Sequence, residues 1–157
     1  MALCLLPALA GCVLPGDPVG PPGGVRVDDG VVSAVVRFCE GDEVVGVEAW
    51  DARRSEVVWS ATGYVRPYDG VLVLAPDHWA SASGATTLPV ADLDVEVQLT
   101  DRTESAVVSA HATADDLEGL PVDSFNVRGE VRTLGEFQEI IERDYGCGDP
   151  RPDQSDG

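Results

Sequence analysis

LDVEVQLT, residues 93–100, alternates apolar and polar side chains without a break. Leucine and valine occupy the odd-numbered positions, whereas aspartate, glutamate, glutamine and threonine occupy the even-numbered ones. Because successive side chains of a β-strand point to opposite faces of its sheet, this stretch predicts a strand with one buried and one solvated face. Such strands are typical of antiparallel sheets. The expected inward side chains are Leu93, Val95, Val97 and Leu99.

The same period of two recurs on both sides of this strand. Further inward rows are predicted at Val32, Ala34, Val36 and Phe38; at Val45, Val47 and Ala49; at Val57, Trp59 and Ala61; and at Ala106, Val108, Ala110 and Ala112. Residues 71–75 form an apolar run, and residues 125–132 alternate as one charged edge strand. Turn signals such as Asp28-Asp29-Gly30 separate these rows. About seven short strands predict a mainly β fold, an antiparallel β-sandwich-like domain.

One C-terminal α-helix is expected to follow the strands. Thr133 and Glu136 have the spacing of a capping box, which satisfies two backbone N–H groups at a helix start. Gly146 stands where a left-handed C-terminal cap is wanted. The apolar face predicted for this helix consists of Leu134, Phe137, Ile140, Ile141 and Tyr145.

The charge of the chain excludes some partners. Its 157 residues include 28 acidic and 10 basic side chains, for a net charge of −18, and every basic residue is arginine. Nucleic-acid binding relies on cations that replace the counterions of phosphates, so no nucleic-acid partner is expected. A polybasic contact with anionic lipid headgroups is excluded for the same reason. The charge serves solubility, or else the collection of cations or of a basic partner.

The N-terminus has the pattern of an export signal. Residues 1–9 are apolar and uncharged, too short to span a bilayer but of the length of a signal-peptide core. Leu9-Ala10-Gly11-Cys12 follows and resembles the lipobox of bacterial lipoprotein signal peptides. This resemblance implies lipidation of Cys12 and cleavage before it. The positive residues that usually precede the core are missing, so the leader is atypical or translation starts upstream; alternatively, Cys12 is a core thiol in a buried N-terminal segment.

The four cysteines fit the same resemblance. Cys4 would leave with the leader and Cys12 would carry the lipid, so Cys39 and Cys147 remain as an even pair in an exported chain. We expect these two to form a disulfide bond, although two unrelated thiols are the alternative. A bridge that closes a loop of about 100 residues is worth about 4–5 kcal/mol in the chain-entropy model.

The segments then follow from composition. Residues 1–11 are the expected signal peptide, and residues 12–24 comprise the lipidated cysteine and a tether rich in proline and glycine. Residues 25–147 form the sandwich-like domain with its helix. Residues 148–157 are acidic, contain proline and lack apolar side chains, which predicts a disordered tail.

No catalytic, cofactor or metal site is expected from the motifs. His78 and His111 are isolated in sequence, whereas metal sites usually cluster their ligands. Two acidic groups, residues 40–43 and 115–118, lack the spacing of a helix-loop-helix calcium site. Residues 76–91 form the longest expected loop, and His78 and Trp79 within it are the candidate recognition residues. The alternative is that Trp79 lies under its own loop.

These observations predict a membrane-anchored extracytoplasmic lipoprotein with a non-catalytic binding or accessory role. Its expected partners are the membrane, through the lipid, and an envelope protein or small ligand of unknown identity. Two alternatives remain. One is a secreted hydrolase, in which His78 or His111 would lie within hydrogen-bond reach of a serine and a carboxylate. The other is a structural envelope subunit, in which Trp79 would belong to a large exposed apolar patch.

Overall fold

The computed structural model describes residues 21–85, 88, 91–100 and 105–147, without the side chains of residues 105 and 106. Ten strands and two short α-helices follow one another in this part of the chain. The strands are β1 (Gly24–Asp28), β2 (Val31–Val35), β3 (Glu43–Asp51), β4 (Glu56–Tyr64), β5 (Leu72–Val73), β6 (Trp79–Gly84), β7 (Asp92–Thr100), β8 (Ser105–Thr113), β9 (Ser124–Val127) and β10 (Glu130–Thr133). The helices are α1 (Ala114–Leu117) and α2 (Leu134–Ile140).

The strands form two antiparallel five-stranded sheets, which confirms the β-sandwich-like fold. The order of the first sheet is β10-β9-β1-β2-β5, and that of the second is β6-β4-β3-β7-β8. In the second sheet, β7 pairs with β3 on one side and β8 on the other. Its side chains Leu93, Val95, Val97 and Leu99 are buried, as the alternation predicts.

The core has two parts, one on each face of the first sheet. Val25 and Ala34 face the second sheet, where they join the larger cluster with the inward rows of β3, β7 and β8. Val35 faces the opposite way and packs with Phe125, Val127, Phe137 and Ile141. The last two belong to the C-terminal helical segment. The domain therefore has three layers, in the order helix, first sheet, second sheet. Ser33 and Val35 are both buried on this second face, so β2 is covered on both sides.

In two of the predicted inward rows, the first residue is not buried. Val45 and Val57 are about two-fifths exposed, although the alternation predicts them inside. The pairing of β3 is irregular between Val44 and Gly46, and that of β3 with β4 is irregular beside Trp50. A bulge inserts an extra residue and moves the alternation by one position, so the pattern cannot be extended through it.

The expected charged edge strand at residues 125–132 is two strands. β9 and β10 form a hairpin in which Val127 pairs with Glu130. Arg128 and Gly129, the two residues between them, have φ of 53° and 83°. Positive φ at both positions is the geometry of the tight two-residue turn that suits the strand twist. Asn126 accepts a hydrogen bond from the Gly129 N–H at 3.1 Å and supports this turn.

The N-terminal boundary of the domain lies earlier than expected. β1 begins at Gly24, which the sequence assigns to the tether, and Pro22 and Gly23 are buried. A Cβ at Gly23 would lie 2.9 Å from the Cβ of Ala110, so the backbone of this segment packs directly on β8. Glycine here serves close approach of two chains, in addition to any flexibility.

Candidate functional site

The C-terminal helix is fixed at both ends. Thr133 Oγ1 accepts the Glu136 N–H at 3.3 Å, and Glu136 Oε2 accepts the Thr133 N–H at 2.8 Å, which confirms the capping box. These bonds lower the pKa of the Glu136 carboxyl, because they favour its charged form. After α2 the chain makes one π-helical turn, Ile141–Tyr145. Gly146, with φ of 31°, ends it and donates to the Ile141 carbonyl at 2.8 Å.

Cys147 follows at once and is disulfide-bonded to Cys39, as expected, with Cα atoms 5.5 Å apart. Cys39 lies on the segment that follows β2, so the bond joins the helix end to the first sheet. Arg37 adds a second connection, since its Nη2 donates to the Gly146 carbonyl at 2.6 Å. Together these contacts hold the helix at a fixed distance from the strand.

A pocket of about 410 Å³ lies between this helix and the residues that follow β2. We call it the helix-flank pocket. Its volume is in the range of small-molecule sites, which are mostly apolar with few polar groups. Val36, Phe137 and Ile141 are buried apolar members of its lining. The remaining residues of the lining are Phe38, Tyr68, Gly70, Gln138, Glu142 and Cys147.

Two aromatic rings of the pocket are packed together. The ring centroids of Phe38 and Tyr68 lie 4.3 Å apart, with an angle of 36° between the ring planes. The Tyr68 hydroxyl contacts the carbonyl oxygens of Val36 at 3.2 Å and Gly70 at 3.0 Å. Burial raises the pKa of Tyr68 above its ordinary value, so this hydroxyl stays protonated and neutral. Tyr68 therefore contributes a positioned ring to the pocket, while its hydroxyl hydrogen is donated to the backbone.

Among the residues that line the pocket, Glu142 is the one acidic residue. Glu142 and Gln138 stand one turn apart and both are exposed. The pocket thus combines an apolar interior, three aromatic rings and one carboxylate.

The sequence did not single out this pocket. Phe38 and Phe137 belong to predicted apolar faces, whereas no pattern in the sequence points to Tyr68 or Glu142 as pocket residues. The expected bond between Cys39 and Cys147 was the available signal, because it brings Phe38 next to the last turns of the helix. The exact lining depends on the position of Tyr68, which no local pattern gives.

The candidate recognition residue Trp79 is a core residue. It is 5% exposed, and its indole Nε1 donates to the Val73 carbonyl at 2.9 Å. Its ring packs edge-on against Tyr64 at 4.9 Å and Trp59 at 6.1 Å. The expected loop 76–91 is wrong at its beginning, where one 3-10 turn, Pro76–His78, leads into β6. Because the side chains of ASASG are small, the sequence pattern did not indicate this edge strand, which pairs with β4.

His78, unlike Trp79, is not part of the core. It is half-buried at the end of the 3-10 turn, and its Nε2 lies 3.9 Å from Asp77 Oδ2. Its ring lies 6.2 Å from that of Tyr64. His78 and Trp79 therefore do not form a common recognition surface.

His111 lies on the outer face of the second sheet between two carboxylates. Its Nδ1 is 2.6 Å from Asp94 Oδ1, and its Nε2 is 3.6 Å from Asp92 Oδ1. Asp94 is its cross-strand neighbour in the pairing of β7 with β8. His111 and Ser109 also line a cleft of about 500 Å³ beside Gly23. A serine hydrolase would need its hydroxyl at the second ring nitrogen, where this histidine faces Asp92.

The two acidic groups have structural contacts. Asp116 lies in α1 and forms a capping box with Thr113, which lowers the pKa of its carboxyl through hydrogen bonds. Asp42 accepts a hydrogen bond from the Cys39 N–H at 2.8 Å. Within the described ranges, no three His, Cys, Asp or Glu side chains come together to hold a metal ion.

Cys12, the expected lipidation site, lies outside the described residues, as do the signal peptide 1–11 and the tail 148–157. Helices of the described part are all too short or too polar to cross a membrane. No family model matches the chain, and comparisons with curated proteins and with solved structures found no match either.

Proposed function

We propose that this protein is an exported lipoprotein, held at the cell membrane by a lipid on Cys12, and that its β domain binds a small ligand without catalysis. The bond between Cys39 and Cys147 carries this proposal. Disulfide bonds persist in oxidising compartments outside the cytoplasm and are rare inside it. The lipobox-like sequence before Cys12 supplies the anchor, and residues 13–20 link it to the packed segment at Pro22.

The helix-flank pocket supports the binding role. It is concave and largely apolar, and the disulfide bond, Arg37 and the capping box all hold its helical wall in place. A preformed pocket costs little ordering when a ligand enters. The net charge of −18 and the absence of lysine disfavour nucleic acid as the partner. An envelope protein remains the alternative ligand.

Hydrolysis is the second candidate function. The contact of His111 Nδ1 with Asp94 Oδ1 favours it, because a carboxylate at this nitrogen orients a histidine base. The carboxylate of Asp92 at the other nitrogen favours binding instead. Turnover of ester substrates that is lost in His111→Gln, but not in His78→Gln, would replace our proposal with this one.

The anchor is tested by metabolic labelling with an alkyne fatty acid. We expect label on the wild-type protein and on Cys4→Ala, which changes only the leader, and none on Cys12→Ala. We also expect wild-type protein in the membrane fraction, with a mature N-terminus at Cys12. Label that is unchanged in Cys12→Ala, or a mature protein that still begins at Met1, would contradict the proposed lipid anchor.

A further inference from the structure

Three aromatic side chains line the helix-flank pocket: Phe38 and Tyr68 on one wall and Phe137 on the helix. Phe38 and Tyr68 are packed ring to ring, and Phe137 is 2% exposed and lines the same space. Aromatic rings carry negative charge on their faces, which attracts cations at distances of up to about 6 Å from the ring centre. Several rings around one space are the arrangement that proteins use for quaternary ammonium groups.

The charge of the pocket has the matching sign. Glu142 supplies a carboxylate to the lining, and lysine is absent from the entire chain. Arg37 is close in sequence, but its guanidinium donates to the Gly146 carbonyl and it is not part of the lining. An anionic ligand would therefore meet the Glu142 carboxylate, whereas a cationic one would gain from it.

The polar groups of the pocket distinguish between kinds of cation. A primary ammonium has three N–H donors, and each costs free energy when buried without an acceptor. The side-chain acceptors of the lining include the Gln138 amide and the Glu142 carboxylate, which both belong to exposed residues, whereas the buried Val36, Phe137 and Ile141 offer none. A quaternary ammonium has no N–H group to satisfy and presents methyl groups to apolar walls.

We propose that the helix-flank pocket binds a quaternary ammonium group, with Phe38, Tyr68 and Phe137 in the lining that it contacts and Glu142 as the counter-charge. This ligand class deepens the proposed binding role and rests on it, but it does not depend on the lipid at Cys12. The strong negative charge of the chain supports this ligand class, because it raises the local concentration of cations.

The experiment compares two probes of nearly the same shape in calorimetric titrations of the purified full-length chain. Choline carries the quaternary ammonium, and 3,3-dimethyl-1-butanol is its uncharged carbon analogue. We expect choline to bind and the alcohol to bind roughly 3- to 30-fold more weakly, the range that cation–aromatic attraction supplies. Equal affinities, or no binding of choline, would overturn the proposal.

Matched variants separate the pocket from the general charge. Glu142→Gln is expected to weaken choline binding by roughly 2- to 5-fold, as for an exposed charge pair. Glu139→Gln removes the same charge from the same helix outside the lining, and choline binding should be unchanged. Tyr68→Phe keeps the ring and should keep binding, whereas Phe38→Leu should weaken it in protein whose circular dichroism is wild-type. Equal losses in Glu142→Gln and Glu139→Gln would mean non-specific attraction.

The two proposals fail separately. Choline that binds a chain without fatty-acid label contradicts the anchor and supports the pocket. A labelled chain that binds the neutral alcohol as tightly as choline contradicts the ammonium assignment and leaves a binding protein for apolar ligands. A labelled chain that binds neither probe contradicts the ammonium assignment as well.

Discussion

Cys147, two positions after the helical segment ends at Tyr145, is bonded to Cys39, which lies 108 positions earlier in the chain. This bond encloses all strands from β3 to β10, and it closes the helix-flank pocket at the same time. The longest-range covalent contact of the described domain therefore also holds the proposed binding site together.

The disulfide bond should contribute strongly to stability. We expect the double variant Cys39→Ala/Cys147→Ala to lose about 2–5 kcal/mol of unfolding free energy, because its unfolded chain is no longer restricted by a large loop. Urea titrations measure this loss. A reductant should lower the midpoint of the wild-type protein and of Cys12→Ala, and leave the double variant unchanged. An unaltered midpoint in the double variant would contradict the prediction.

Trp79 should matter for folding through its indole nitrogen. In Trp79→Phe the Val73 carbonyl loses its buried donor, for which we expect a cost of about 1–3 kcal/mol. Trp50→Phe is the matched control, since the Trp50 Nε1 has no hydrogen-bond partner among the described residues. Thermal unfolding followed by circular dichroism compares the two. A smaller loss in Trp79→Phe than in Trp50→Phe would count against this role of the bond.

Gly84 should tolerate no side chain. Its φ is 118°, and an added Cβ would lie 2.3 Å from the Val58 carbonyl oxygen and 2.7 Å from the Trp59 Cα. Gly30 has φ of 82° with nothing within 4 Å of an added Cβ, so Gly30→Ala tests the backbone conformation alone. We expect Gly84→Ala to cost about 1–3 kcal/mol more than Gly30→Ala in urea unfolding. Equal costs would show that β4 can move away.

The capping box should make stability depend on acid. The pKa of Glu136 is lowered from 4.5 in the folded state, so its charged form stabilises the fold above that pH. This contribution is lost as the pH falls from 4.5 through the lowered folded value. Glu136→Gln should therefore be less stable than wild type at pH 7, with a difference that shrinks towards pH 2.5. Glu139→Gln, away from the cap, should show no such convergence; a constant difference for Glu136→Gln would refute the linkage.

The sequence by itself determined the mainly β architecture, the positions of the central strands and the start of the C-terminal helix, whereas its π-helical last turn and the conformation of Gly146 differ from the expected left-handed cap. The reason is that strand alternation and helix capping are local: Val95 and Val97 face inward because of a two-residue period, and Thr133 and Glu136 meet within one turn. The pairing of Cys39 with Cys147 was also predicted, from the lipobox resemblance and the even number of cysteines left over.

Tertiary structure alone decided the rest. The bulges near Val45 and Trp50 depend on strand pairing, and the burial of Trp79 depends on Val73, Tyr64 and Trp59 around it. The contact of His111 with Asp94 depends on the register of β7 and β8. The helix-flank pocket requires Tyr68 to pack on Phe38 across the first sheet's end, a contact between distant residues that no spacing along the chain encodes.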